Sequence, residues 1–206
     1  MDTQPVINHL IVIDPALKIL FEEVIKSNHN QPLDFTTLLK TPFVALVGAI
    51  IGQKIRFTEA RQIRSFIYQN LTTLFDASRL YQFLIDLERQ DQTSINNPIS
   101  NNTIQLLKTT CQFVLEQRLD LNAESDFNRV SEISGIGPWT LNTAKLTTLK
   151  WEGCWDLFPI GDIFIRKRIQ RIYNLDHSPS DSEVKTISEK WSPYRGFVAW
   201  YLWRLF

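Results

Sequence analysis

Cysteine is nearly absent from this chain. Cys111 and Cys154 are the only two in 206 residues. They allow at most one disulfide and exclude a cysteine cluster with metal-ligand spacing. A reduced, intracellular compartment is the simpler expectation. Glycine and proline are sparse too, at 7 and 9, which excludes a collagen-like or low-complexity chain. No apolar stretch approaches the roughly 18 residues of a membrane span, so no membrane partner is expected. Met1 to His9 carries Asp2 and no positive segment, so no secretory signal is expected there. An excess of charge is missing as well: 22 Lys+Arg balance 22 Asp+Glu. That disfavours a nucleic-acid binder working by bulk charge, but leaves room for a basic stripe on one face. What remains is 44% hydrophobic and 21% charged, enough to bury a core without staples.

The apolar periodicity is helical nearly throughout, and no strand with period-2 alternation stands out. Asp14-Pro15 reads as a cap and first turn, followed by Leu17, Leu20, Phe21, Val24 and Ile25 on one face. Thr41-Pro42 repeats the signal, and Phe43 to Ile51 is apolar enough for a helix buried on most sides. Thr58 is placed to cap the next helix, and Asp76 and Ser100 to open two more. Between these two, Gln90 to Asn101 reads as a loop. Ser125 to Ile133 predicts a shorter helix. Asp162 and Ser180 cap two further helices, and Pro193 starts the last.

Three segments carry chemistry. In Ser134-Gly135-Ile136-Gly137-Pro138-Trp139-Thr140, two glycines between helices allow a tight turn with positive φ and close backbone approach. Pro138 suits the first position of the second helix. The N–H groups of such a turn form an anion site of the kind that holds a phosphate. By itself, this pattern also fits an ordinary helix–helix connection. Phe158-Pro159-Ile160-Gly161-Asp162 leads into a basic helix with Arg166, Lys167, Arg168 and Arg171. Asp162 by itself also fits a plain N-cap. Gly48-Ala49-Ile50-Ile51-Gly52-Gln53 is followed by Lys54, Ile55 and Arg56.

With Trp191-Ser192-Pro193-Tyr194-Arg195 and Trp203 beyond, these segments, in order from about Pro42 to the C-terminus, resemble the helix-hairpin-helix DNA glycosylase superfamily. The similarity is to its 3-methyladenine DNA glycosylase II branch, in the compact form without an N-terminal β domain. The resemblance implies an all-α, two-lobed helical bundle with a helix-hairpin-helix motif and a cleft between the lobes. Residues 1–206 are expected to form one unit, with a helical lobe at about 36–125. The hairpin-containing lobe is then about 126–206 plus the N-terminal helices 1–35.

The resemblance makes Asp162 the catalytic carboxylate. Breaking an N-glycosidic bond develops positive charge on the sugar, which an ionised carboxylate stabilises while it orients or deprotonates the attacking water. A helix N-terminus favours the negative form of that carboxylate. Bifunctional relatives carry a lysine nucleophile where this chain has Trp139, and tryptophan forms no Schiff base. The implied enzyme is therefore monofunctional and leaves an abasic site. Its implied substrate is an alkylated base of the 3-methyladenine or 7-methylguanine type, cationic and attracted to aromatic faces. Trp139, Trp203, Tyr194, Trp200 and Phe43 are the candidate base pocket. Gly135, Ile136, Gly137, Thr140, Gln53, Lys54, Ile55, Arg56 and Arg166 are the candidate DNA contacts. Lys54 stands where the family places its wedge, and the expectation from the resemblance is that Lys54 reaches a phosphate instead, with Ile55 inserting.

No cofactor is expected for catalysis, and the two cysteines cannot hold an iron–sulfur cluster. A structural sodium or potassium ion is expected at the backbone carbonyls of Ser131, Ile133 and Ile136. The expected partner is double-stranded DNA with a damaged base, met by a single chain in a bacterial cytoplasm or nucleoid or in a nucleus. Two other readings stay open. One is a non-catalytic DNA-binding protein of the same fold; the other is a glycosylase for deaminated or oxidised bases.

Overall fold

A computed structural model describes residues 3–28, 41–71, 75–89 and 97–204. The described residues are helical, without a strand. In chain order the helices are α1 (Gln4–Ile13), α2 (Leu17–Ser27), α3 (Pro42–Ile51), α4 (Phe57–Asn70), α5 (Ala77–Arg89), α6 (Asn101–Glu116), α7 (Glu124–Asn128), α8 (Pro138–Thr148), α9 (Ile163–Ile172), α10 (Asp181–Glu189) and α11 (Arg195–Arg204). None is long and apolar enough to cross a membrane. They form two compact units, one of residues 39–148 and one of the residues before and after that span. The division differs from the lobes expected from sequence. The hairpin residues 126–148 group with 39–125, because α8 packs on α3 in the most extensive helix–helix contact among the described residues. The buried face of α8 is mostly small, with Thr140, Thr143, Ala144 and Thr148, which permits close approach.

In the 39–148 unit, α3 is the central helix. Phe43, Ala45, Leu46, Val47, Ala49, Ile50 and Ile51 are all buried, and the helix also meets α4 and α6. Full burial of each larger aliphatic side chain is worth roughly 1.5–3 kcal/mol. Helix α5 turns Leu80, Leu84 and Leu87 inward, and α6 turns Ile104, Leu107, Cys111 and Val114. The two are tied outside by Glu88, which accepts from Gln105 and Lys108 at 2.6 Å each. Both predicted caps hold: Asp76 accepts the Arg79 N–H at 2.9 Å and Ser100 the Thr103 N–H at 3.2 Å. Burial pushes the Cys111 thiol up to about 12. Cys111 and Cys154 are both buried and form no disulfide. Helix α4 begins one residue before the predicted Thr58 cap. The extended Arg56 is its N-cap, and the Arg56 N–H reaches Glu59 at 3.4 Å. The predicted loop at Gln90 to Asn101 lies in part outside the described residues.

In the second unit α1 was not foreseen. It is short and buries only Val6, Ile7 and Leu10, too few for a clear stripe. Asp14 does not open the following helix as expected; it ends α1 and is only 3% exposed. Its Oδ2 accepts Trp191 Nε1 at 2.7 Å and the Tyr173 hydroxyl, and pairs with Lys190 Nζ at 3.1 Å. Three donors from distant parts of the chain outcompete a local cap. Helix α11 buries Phe197, Val198, Ala199, Tyr201 and Leu202, with Phe21 of α2 edge-on to Tyr201 at 4.8 Å. It starts at Arg195, not at the expected Pro193, because the Tyr194 N–H first turns back to the Trp191 carbonyl at 2.7 Å.

Candidate active site and helical hairpin

The hairpin is built from α7, a 3-10 turn (Arg129–Glu132) and α8. The single helix predicted for Ser125 to Ile133 is thus split, and the tighter second half delivers an extended Ile133. The Ile136 N–H closes the turn on the Ile133 carbonyl at 3.0 Å, and the Leu141 N–H bonds the Gly137 carbonyl at 3.1 Å. Only Gly135 has the positive φ expected of this turn, at 97°. A Cβ there would also meet Leu106 Cδ1 at 3.2 Å, whereas one at Gly137 would meet nothing within 4 Å. Gln53, just after α3, donates its side-chain amide to the Gly135 carbonyl at 2.9 Å and to the Thr140 hydroxyl at 2.8 Å. Trp139 is half-buried, its Cη2 3.8 Å from where a Cβ on Gly52 would lie.

Asp162 is the N-cap of α9 and is 7% exposed. Gly161 before it has φ 92°, which turns the chain into the helix. Oδ1 accepts the N–H groups of Phe164 and Ile165, both at 2.9 Å. Oδ2 accepts the indole N–H of Trp203 at 3.1 Å. Arg168, further along α9, stacks over Phe164 at 5.9 Å. Burial lowers the Arg168 guanidinium, and the charge of Asp162 opposes that. The carboxylate thus accepts the Phe164, Ile165 and Trp203 N–H groups with the Arg168 cation in its field, an arrangement suited to stabilising positive charge on a reacting group.

No known family profile matches the chain. Among curated proteins, a DNA-3-methyladenine glycosylase of Bacillus subtilis is 29% identical over 174 residues, covering 79% of this chain and 56% of that protein. DNA-3-methyladenine glycosylase 1 of Schizosaccharomyces pombe is 32% identical over 89 residues, covering 43% of this chain and 38% of that protein. The chain spans little more than half the length of the Bacillus subtilis relatives it matches. The solved Schizosaccharomyces pombe 3-methyladenine DNA glycosylase, in complex with abasic DNA, shares the fold with a TM-score of 0.74 at 23% identity, over 98% of this chain and 96% of that one. The chain is thus similar in sequence to DNA-3-methyladenine glycosylases and shares the fold of the solved one.

The remaining candidates divide. Trp200 and Trp203 meet edge to face at 5.5 Å beside Asp162. Tyr194 is half-buried, edge-on to His9 at 6.0 Å. Phe43 is buried against Phe75 at 5.8 Å, in the core of its unit. Lys54 and Arg56 are exposed and Ile55 half-buried, with Lys54 at φ 58° on the turn after α3. Arg166 is drawn into an ion pair with Asp181. The one lysine of α8, Lys145, is held by Glu124 at 2.6 Å. Sequence reading did not anticipate that pair, nor the field between Arg168 and Asp162. Neither has a local signal, since each needs the register of a helix to be known.

The carbonyls of Ser131, Ile133 and Ile136 are neutral, hard oxygen donors, which fit a monovalent cation. The Ile133 carbonyl shares its oxygen with the Ile136 N–H. No cluster of three or more His, Cys, Asp or Glu side chains suited to a metal occurs among the described residues.

Proposed function

We propose that this protein is a monofunctional DNA glycosylase that excises alkylated bases, of the 3-methyladenine or 7-methylguanine type, by hydrolysing the N-glycosidic bond after base flipping. The observation that carries the proposal is Asp162. It is a nearly buried carboxylate fixed by two backbone N–H groups and an indole N–H at a helix start. Departure of the base puts positive charge on the deoxyribose, and this anion stabilises that charge and orients the attacking water. A base alkylated on a ring nitrogen is already cationic and leaves without strong acid catalysis. It is held by the aromatic face of Trp200 through stacking and cation–π attraction. Extruding it costs a few kcal/mol, least for a damaged pair.

The hairpin and the first turn of α8 grip a phosphate of double-stranded DNA through backbone N–H groups. Lys54 and Arg56 add local positive charge, and Ile55 fills the gap in the stack. The carbonyls of Ser131, Ile133 and Ile136 would hold a sodium or potassium ion, which would supply positive charge near that phosphate. Trp139 in place of a lysine, and Lys145 paired with Glu124, support hydrolysis without strand cleavage. The protein acts as a single chain inside the cell. The names of the sequence relatives support the alkylated-base assignment.

The test is single-turnover base release from a panel of lesion duplexes with chelator present. Asp162→Asn is expected to slow release of 3-methyladenine by roughly a hundred- to ten-thousandfold and to keep binding abasic-site DNA. Release at the native rate by this variant, or release of 8-oxoguanine and no alkylated base by the native protein, would defeat the proposal.

A further inference from the structure

Trp203 meets Asp162 with its edge. Its indole Nε1 donates to Asp162 Oδ2 at 3.1 Å, while Oδ1 already holds the Phe164 and Ile165 N–H groups at 2.9 Å. Two bonds on one oxygen pin that atom but leave the carboxylate plane free to turn, because the terminal torsion of an aspartate has a broad, shallow profile. A third donor on the other oxygen sets the plane. The indole has one polar atom, a donor only, and here it is directed at the carboxylate.

The donor stands on a rigid element. Arg195, at the start of α11, makes paired 2.8 Å bonds to both oxygens of Asp156. Phe197, Val198, Ala199, Tyr201 and Leu202 bury the rest of the helix. Trp200 supports the Trp203 ring edge to face at 5.5 Å and 82°. Trp203 itself is only half-buried, so the core does not depend on its bulk.

We infer that Trp203 is a positioning residue for Asp162, and that base release depends on its N–H more than on the face of its ring. This rests on the reading of Asp162 as the carboxylate that acts on the sugar. Sequence resemblance placed Trp203 among the stacking aromatics; the hydrogen bond gives it a different task. Oδ2, which takes the indole N–H, is then the oxygen turned to the sugar and its water, and Oδ1 is the anchor.

The experiment uses the full chain and a duplex methylated at guanine N7 and adenine N3, with released bases counted under single-turnover conditions. Two variants remove the N–H. One is Trp203→Phe. The other puts benzothienylalanine at position 203, which keeps the bicyclic shape and replaces N–H by sulfur. Both are expected to lose about ten- to a hundredfold in the maximal rate, the worth of one hydrogen bond to a charged group. Half-saturation and affinity for abasic-site duplex are expected to stay within about twofold.

A native rate in the benzothienylalanine variant would overturn the inference, since shape alone would then suffice. So would a loss of affinity that tracks the loss of rate, which is the signature of base stacking. Asp162→Asn, assayed beside them, separates the two levels. If it is inert while both Trp203 variants are native, Trp203 loses its role and Asp162 keeps its own. If it is active, the reading of Asp162 falls first.

Discussion

Gln53 and Gly135, 82 positions apart, are joined by a hydrogen bond from the Gln53 amide to the Gly135 carbonyl at 2.9 Å. The same amide nitrogen reaches the buried hydroxyl of Thr140 at 2.8 Å. One side chain therefore locks the turn after α3 to both sides of the hairpin. In sequence Gln53 is a candidate DNA contact; in the fold its amide belongs to the hairpin.

Gln53→Met, which keeps the length and removes both bonds, is expected to cost about 1–3 kcal/mol. It should lower Tm by roughly 2–10 °C. Thermal unfolding followed by circular dichroism reads this directly. A Tm equal to the native value would show that the bridge contributes nothing to stability.

The two hairpin glycines are expected to behave differently. Gly135→Ala meets both a φ of 97° and Leu106 at 3.2 Å, and is expected to destabilise by about 1–3 kcal/mol or more. Gly137→Ala has open space around it and should stay within about 0.5 kcal/mol of native. Sequence alone lets both glycines serve the tight turn; the structure gives the positive φ to Gly135 and not to Gly137. If the hairpin grips a phosphate, Gly137→Ala weakens binding to undamaged duplex at low salt while stability is unchanged. Denaturant midpoints and duplex affinities of both variants test the contrast.

Stability is expected to fall in acid through two carboxylates. Burial alone would raise Asp156, but hydrogen bonds from Arg195 and Ser192 outweigh it and hold the carboxyl below its ordinary value. The Ser180 backbone N–H, then its hydroxyl and His177, lower Glu183 to about 2. A carboxyl lowered on folding stabilises the protein above its unfolded value, and that stability is lost as pH falls toward the folded one. The loss attributable to Glu183 should therefore run from about 4.5 down to about 2. An Asp156→Asn, Glu183→Gln double variant should show a shallower decline of Tm over that window than the native protein. Parallel declines would remove these two groups from the account.

Much of the fold was readable because it rests on short-range rules. Asp76, Ser100, Asp162 and Ser180 each cap the helix they were expected to cap. The apolar run of α3 is buried as its composition requires. Where local rules misled, a distant partner had intervened. Asp14 carries a capping signal, yet Trp191, Lys190 and Tyr173 claim its carboxylate.

The candidate site shows the same boundary. The hairpin turn and the Asp162 cap are legible in residue type and spacing, and the family resemblance made Asp162 and the aromatic C-terminal helix a candidate site. That Trp203 offers Asp162 its N–H, that Gln53 holds Gly135, and that the hairpin groups with α3 instead of with α9 to α11 are decisions of packing. Hydrogen bonds are directional and short, so which of several possible donors reaches a given acceptor is settled only once helices have taken their register and their neighbours.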